Sequence, residues 1–196
     1  LKPLVAQFAP AAPASKAKGK EGKAPPAPPS PGAEAITYKS FDVNAKLPKG
    51  VEAMKEVARR HAGTRAGFEA AMGVGDLYTN HGQAALAEEW FRKGTDLAGS
   101  RLEKSLAWYA LGSVQESTSK AADAVNSYAK AVSAGEASVE GEVLMSLARA
   151  QELVGKTADA KGTYERILKD HPNTDYSRQA EAAKADLLSA VTAEGE

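Results

Sequence analysis

The sequence predicts an all-α fold: antiparallel helix pairs stacked into a superhelix, preceded by an irregular N-terminal arm. Three observations predict it. Apolar residues recur at three- and four-residue intervals throughout the chain beyond Pro48, in a background of Ala, Leu, Glu, Lys and Arg, which is helical spacing in helix-favouring company. The same pattern of small and aromatic residues returns three times at a fixed displacement. Eight of the ten prolines fall in residues 1–35.

The arm comes first. Ala9-Pro10-Ala11-Ala12-Pro13 and Pro25-Pro26-Ala27-Pro28-Pro29 fix φ, remove backbone donors and supply too little large apolar surface to offset the entropy of ordering. Residues 1–47 are therefore expected to form a disordered Pro/Ala/Lys-rich linker, extended and leaning toward polyproline II. Within it, Ile36-Thr37-Tyr38-Lys39-Ser40-Phe41-Asp42-Val43 is rich in β-branched and aromatic residues, which predicts an extended segment over 36–43.

The body is expected to span 48–196. The first repeat, 68–100, carries Ala71, Val74, Gly75, Tyr78, Gly82, Ala87, Phe91 and Gly94. The second, 105–137, carries Trp108, Leu111, Gly112, Gln115, Ala124, Tyr128 and Ala131; the third, 141–173, carries Leu144, Leu147, Ala148, Gln151, Gly155, Ala160, Tyr164, Ile167 and Pro172. The interval from Gly75 to Ala87, Gly112 to Ala124 and Ala148 to Ala160 is 12 residues each time, and the copies are displaced by 37 and then 36. Small residues at Gly75, Gly112 and Ala148 let the first helix of a unit approach the second, where Ala87, Ala124 and Ala160 meet them. Phe91, Tyr128 and Tyr164 are expected to fill the gap toward the next unit, and Trp108 and its counterparts to pack across the pair.

Turn signals divide the units. Asn80-His81-Gly82, Ser119-Lys120 and Gly155-Lys156-Thr157 break the helices within each copy, and Ser100 with Glu103 reads as a capping box opening the second. Residues 51–64 resemble the second helix of a repeat whose first helix is missing: Met54, Val57 and Ala58 match Tyr164, Ile167 and Leu168, and His61-Ala62-Gly63-Thr64 echoes His171-Pro172-Asn173-Thr174. A last helix over 175–192, capped by Asn173, Thr174 or Asp175, should cover the open end of the stack. Tyr38, Phe41 and Val43 are expected to dock on the face left bare by the missing helix.

These residues together resemble the tetratricopeptide-repeat family over 68–172. The copies are slightly longer than the ~34 residues of that family's unit. Gln115 and Gln151 stand where the family has an aromatic, Ser119 replaces a turn glycine, and only the third copy ends in proline. The resemblance implies a right-handed superhelix whose first helices line a concave groove. Mapped by position, that groove is Met72, Asp76 and Asn80, then Tyr109, Ser113 and Glu116, then Met145, Arg149 and Glu152. Met72, Met145 and Tyr109 either form an adaptable apolar strip for an extended or helical peptide or simply fill the inner wall. The Lys and Asn arrangement of the family's carboxylate-clamp members is absent, which argues against acidic C-terminal chaperone tails as ligands.

Enzymatic chemistry is not indicated. Gly155-Lys156-Thr157 ends like a phosphate-binding loop, but Ala150 stands where that motif needs Gly, and a helix precedes it. Ser117-Thr118-Ser119-Lys120 has Ser-x-x-Lys spacing without its Ser-Asp-Asn or Lys-Thr-Gly companions. His61, His81 and His171 sit at turns, far apart in the chain. Glu88 with Arg92 and Glu89 with Lys93 read as (i, i+4) pairs on a solvent-facing helix. No cysteine is present, which excludes thiolate nucleophiles, disulfides, a lipobox cysteine within this stretch and Cys-ligated zinc. Balanced charge, 25 basic against 25 acidic residues, gives no pull toward nucleic acid. No metal, catalytic residue or cofactor is expected.

The layout also resembles bacterial envelope proteins with one N-terminal span, a linker and a short periplasmic repeat domain, among them the YfgM-type ancillary subunits of the Sec translocon. The residues carrying this resemblance are His61-Ala62-Gly63-Thr64, Gly75-Asp76-Leu77-Tyr78 with Gly82, and His171-Pro172-Asn173-Thr174-Asp175-Tyr176. It implies scaffold or chaperone-like work beside a membrane complex, with a membrane tether N-terminal to Leu1; Leu1-Lys2-Pro3-Leu4-Val5-Ala6-Gln7-Phe8 reads as the trailing edge of such a span. The alternatives are an obligate subunit of a larger membrane-associated assembly (outer-membrane assembly, Tol-Pal-like, or a secretion or motility complex) and a cytoplasmic location.

Overall fold

The computed structural model describes residues 40–193. Among them are nine helices and no strand: α1 (Val43–Lys46), α2 (Pro48–Arg60), α3 (Arg65–Asn80), α4 (Ala84–Leu97), α5 (Arg101–Ser117), α6 (Ala121–Ser133), α7 (Ala137–Leu153), α8 (Thr157–Asp170) and α9 (Asp175–Ala193). From α2 onward each packs on the next in the chain. Helices α3, α5, α7 and α9 also touch one another in succession, whereas α4, α6 and α8 make no comparable contact among themselves. The stack is therefore curved, with α3, α5, α7 and α9 inside and the other helices outside.

The helix ends are set by local chemistry. The Ser100 hydroxyl accepts from the Glu103 amide at 3.1 Å, while the Glu103 carboxylate accepts from the Ser100 amide at 3.0 Å, closing the capping box of α5. Of the three residues expected to cap the last helix, Thr174 does so. Its hydroxyl accepts from the Ser177 amide at 3.2 Å, and its own amide donates to the Ser177 hydroxyl at 3.1 Å. Between the helices of each unit one residue is left-handed: Gly82, Ser119 (φ 61°) and Gly155. Serine has a Cβ to accommodate at that φ and glycine does not, so Ser119→Gly should raise stability by about 1 kcal/mol. A thermal melt checks it.

Glycine also sets the closeness of the pairs. A Cβ on Gly75 would stand 2.4 Å from Phe91 Cε1, and one on Gly112 would stand 2.7 Å from Tyr128 Cδ1. Phe91 and Tyr128 thus pack against the glycine of their own unit while sharing a core cluster with residues of the next, Phe91 with Leu111 and Val114 and Tyr128 with Val143 and Leu147. In the third unit Ala148 stands at that station, in one cluster with Tyr164. Trp108 packs against both the first and the second core cluster, as Val132 does against the second and third, and Lys130 Nζ lies 4.2 Å from the Trp108 ring centroid.

The glutamines at the aromatic station have a structural reason. Ser127 donates to Gln115 Oε1 at 2.7 Å, and Thr163 donates to Gln151 Oε1 at 2.8 Å. The corresponding residues of the first unit are Tyr78 and Trp90, both buried. Two large rings in one unit are replaced by an amide and a small hydroxyl in the other two, which satisfies the buried polar atoms of Gln115 and Ser127.

Before the first unit, residues 36–39 of the segment expected to be extended over 36–43 lie outside the described residues, 40–42 are not helical, and the chain departs from that expectation at Val43. Asp42 caps α1 by accepting from the Asn44 and Ala45 amides, so Val43 begins a helical turn. Val43 is fully buried, its amide donates to Gln83 Oε1 at 2.9 Å, and Phe41 lies on the His81 ring with centroids 3.9 Å apart. Ser40 donates to the His81 carbonyl, and Tyr78 donates to Asn44 Oδ1 at 2.7 Å. Tyr38 lies outside the described residues. Deleting residues 34–46 should lower the melting temperature by roughly 5–10 °C or cause association, since it uncovers the apolar surface under Phe41 and Val43. An unchanged melt with unchanged mass would refute this.

One surface pair also differs from expectation. Glu88 and Arg92 do pair at 3.1 Å, and Glu89 with Lys93 at 2.6 Å. Glu88, however, is half-buried and turned toward the next unit, accepting from Lys120 at 2.7 Å and from Gln115. Lys120 beside it holds its carboxyl below the usual range.

Candidate partner groove

The concave wall is built from inward positions of α3, α5 and α7. Repeat register makes Thr79, Glu116 and Glu152 equivalent, given displacements of 37 and 36. Asn80 therefore sits one residue past the station occupied by the two glutamates. Asp76, Asn80, Ser113 and Arg149 are exposed, and Tyr109, Glu116, Met145 and Glu152 are half-buried.

Met72 is the exception. It is 7 % exposed, and a Cβ on Gly94 would stand 2.7 Å from its sulfur. The thioether occupies the notch that Gly94 leaves in α4, beside Ala107 of α5. Met72 therefore belongs to the core and not to the groove surface. Met145 packs on the third core cluster while remaining partly open. The apolar strip expected along the groove is thus reduced to Met145 and part of Tyr109.

Behind the groove surface stands a ladder of tyrosine–carboxylate bonds, with Tyr128 and Tyr164 themselves buried. Tyr109 donates to Glu142 at 2.9 Å, Tyr128 to Glu116 at 2.9 Å and Tyr164 to Glu152 at 2.8 Å. Arg149 grips Glu116 with both its Nε at 2.8 Å and its Nη2 at 3.1 Å, joining α7 to α5. Repeat geometry places a ring of the second helix beneath position 116 or 152 of the first, so Tyr128 and Tyr164 each meet the carboxylate at the same rung, whereas Tyr109 on α5 reaches across to Glu142 on α7. Glu142, Tyr128 and Tyr164 are not among the groove residues expected from the sequence. The 12-residue interval from each glutamate to its tyrosine is the signal that could have found the last two.

Electrostatics follow from these contacts. Arg149 holds the Glu116 carboxyl below its ordinary value. Burial pushes the Tyr109 phenol up to about 12, with the neighbouring Glu142 charge adding to it, and the Tyr128 and Tyr164 phenols are raised by burial and by their own glutamates. All three are neutral donors at physiological pH. The Asp76 carboxyl is raised by desolvation although the residue is exposed, as expected for a side chain within a concavity. Among the described residues, Asp76, Glu116, Glu142 and Glu152 share this stretch of wall with one cation, Arg149, so the wall is acidic.

Beside Arg149 is an open dent lined by Ser113, Glu116, Ser117, Arg149 and Leu153, of about 380 Å³. Among the described residues no group of three or more His, Asp or Glu is placed to hold a metal ion, and no helix is long and apolar enough to cross a membrane. His171 Nε2 lies 3.3 Å from Glu140, on a different part of the stack from His61 and His81.

No family model matches the sequence, and no curated protein matches it. Solved structures do. The first tetratricopeptide domain of Spaghetti (RPAP3), bound to the HSP90 peptide SRMEEVD, is 20% identical with a TM-score of 0.53, the match covering 64% of this chain and 95% of that one. The tetratricopeptide-like repeats of a putative kinesin light chain of Podosopora anserina are 15% identical with a TM-score of 0.59, over 76% and 81% of the two chains. MamA is 18% identical with a TM-score of 0.53, over 71% and 81%. The fold of this chain is the tetratricopeptide-repeat superhelix.

Proposed function

We propose that this protein is a non-catalytic interaction module that holds a segment of a partner protein in the concave groove formed by α3, α5, α7 and α9. The observation that carries this reading is the division of labour in the wall. Core residues such as Leu111 and Leu144 are sealed, whereas Asp76, Asn80, Ser113 and Arg149 stand exposed on the inner helices. A polar concave face on a closed core is suited to recognition of an extended or helical chain. The RPAP3 repeats, which share the fold, hold a peptide, and this supports the reading. An acidic wall makes a peptide like SRMEEVD, with its two glutamates, a poor fit here.

The place of work we propose is the bacterial cell envelope, with the repeat body beside a membrane complex. Support comes from the composition of residues 1–35, with eight prolines and five lysines, which suits a spacer between an anchor and a body. Cell fractionation of the natural full-length product tests it; recovery in the soluble cytoplasmic fraction alone would refute it.

The groove is tested by a photo-crosslinking residue placed at Ser113, compared with one at Ala129 on the outer face of α6. Ser113 should capture one defined segment and Ala129 none. Equal capture from both would reject the reading. Tyr109 is a poor control position, since its ring packs on Tyr128 with centroids 5.7 Å apart and a charge there would disturb the core. Co-purification of a partner at fixed stoichiometry would instead favour an obligate subunit of a larger assembly.

A further inference from the structure

The stack contains its own template for a ligand contact. At Glu116, one carboxylate accepts from a tyrosine of the same unit, Tyr128, and from the fork of an arginine one unit on, Arg149. At Glu152, one unit along, the tyrosine is again present, with Tyr164 donating at 2.8 Å. The register into α9 is set by Ser105, Gly141 and Ser177, all buried, and by Leu144 and Ala180, likewise buried. It puts Ala185 at the station of Arg149. Ala185 is exposed and has no charge to offer. Among the described residues Tyr164 is the only partner that Glu152 has.

Apolar surface lies beside it. Leu153 follows Glu152 directly and is 62% exposed; Leu188, the α9 residue equivalent to Glu152, is 42% exposed. An inner-wall carboxylate held in place by a phenol, with an open leucine following it in the chain and another at the equivalent station of α9, matches one kind of side-chain pair. From this we infer that the C-terminal end of the groove binds an arginine of a partner protein, whose guanidinium takes Glu152 as Arg149 takes Glu116, with an adjacent apolar residue of the partner covering Leu153 and Leu188. Arginine is specified over lysine because the planar fork makes two parallel bonds to one carboxylate. The chain's own arm is a poor candidate: residues 1–35 contain five lysines and no arginine. The inference rests on the groove reading given above.

The test is selection of displayed random peptides on the full chain, followed by titration of a selected peptide. Selected peptides should carry arginine beside Leu, Ile, Val or Phe. Glu152→Gln, which keeps the acceptor for Tyr164, should weaken the peptide about tenfold, as should replacing the peptide's arginine by citrulline. Ala185→Arg should weaken it similarly by supplying the guanidinium within the chain, with a melting temperature at or above that of the parent. Peptides that compete at the groove, being blocked by Ser113→Trp, yet show no arginine preference or bind Glu152→Gln equally, would overturn the inference and leave the groove standing. Peptides indifferent to Ser113→Trp, or no enrichment at all, would remove both.

Discussion

Leu111→Ala should lower the free energy of unfolding by about 3 kcal/mol. Leu111 is 0% exposed and lies in the first core cluster on α5, the helix that touches α3, α4, α6 and α7. Truncation removes the transfer energy of the lost atoms and leaves a cavity that the surrounding helices cannot close together. In a stack where each unit leans on its neighbours, a defect at the centre is felt on both sides. For a chain of this size the loss corresponds to a fall in melting temperature of roughly 6–12 °C. Leu188→Ala, at a position 42% exposed, should stay within about 0.5 kcal/mol of the parent. Equal effects at the two positions would show that α5 is not central.

The second large effect is a change of sign for one substitution at two sites. Gly75→Ala should destabilise by about 2 kcal/mol, because the new Cβ would lie 2.4 Å from the Phe91 ring and that ring is itself buried. The helix-propensity gain of alanine over glycine, roughly 1 kcal/mol, is smaller than the cost of moving the ring. Gly162→Ala faces no such cost: the position is helical, exposed and has nothing within 4 Å of the added carbon. There the propensity gain stands alone, and stability should rise by about 0.5–1 kcal/mol. Urea titrations of both variants measure the pair. If Gly75→Ala also stabilised, the close approach of α3 and α4 would be refuted.

The repeat was legible in the sequence because its constraints are local and geometric. A small residue under an aromatic, an alanine opposite and a left-handed turn residue recur at intervals that a single sequence displays, and Ser119 could be recognised as standing in for glycine before its φ of 61° was known. What was not legible depends on depth and pairing. Position along a helix assigns Met72 to the inner side, but only the gap at Gly94 draws its thioether into the core. The turn at Val43 is hidden by β-branched composition, since one capping carboxylate at Asp42 outweighs local propensity over so short a span. Gln115 and Gln151 look like losses until Ser127 and Thr163 are seen beside them. The groove's acidity was present residue by residue, yet its ladder required knowing that Tyr128 and Tyr164 rise to meet the glutamates.

The central claim is that partners enter on the concave side. Amide chemical-shift mapping tests it most directly, with the full 20.4 kDa chain titrated with the segment captured from Ser113. Shifts are predicted at Asp76, Ser113, Arg149 and Ala185, along α3, α5, α7 and α9. Shifts confined to the outer helices α4, α6 and α8 would contradict it.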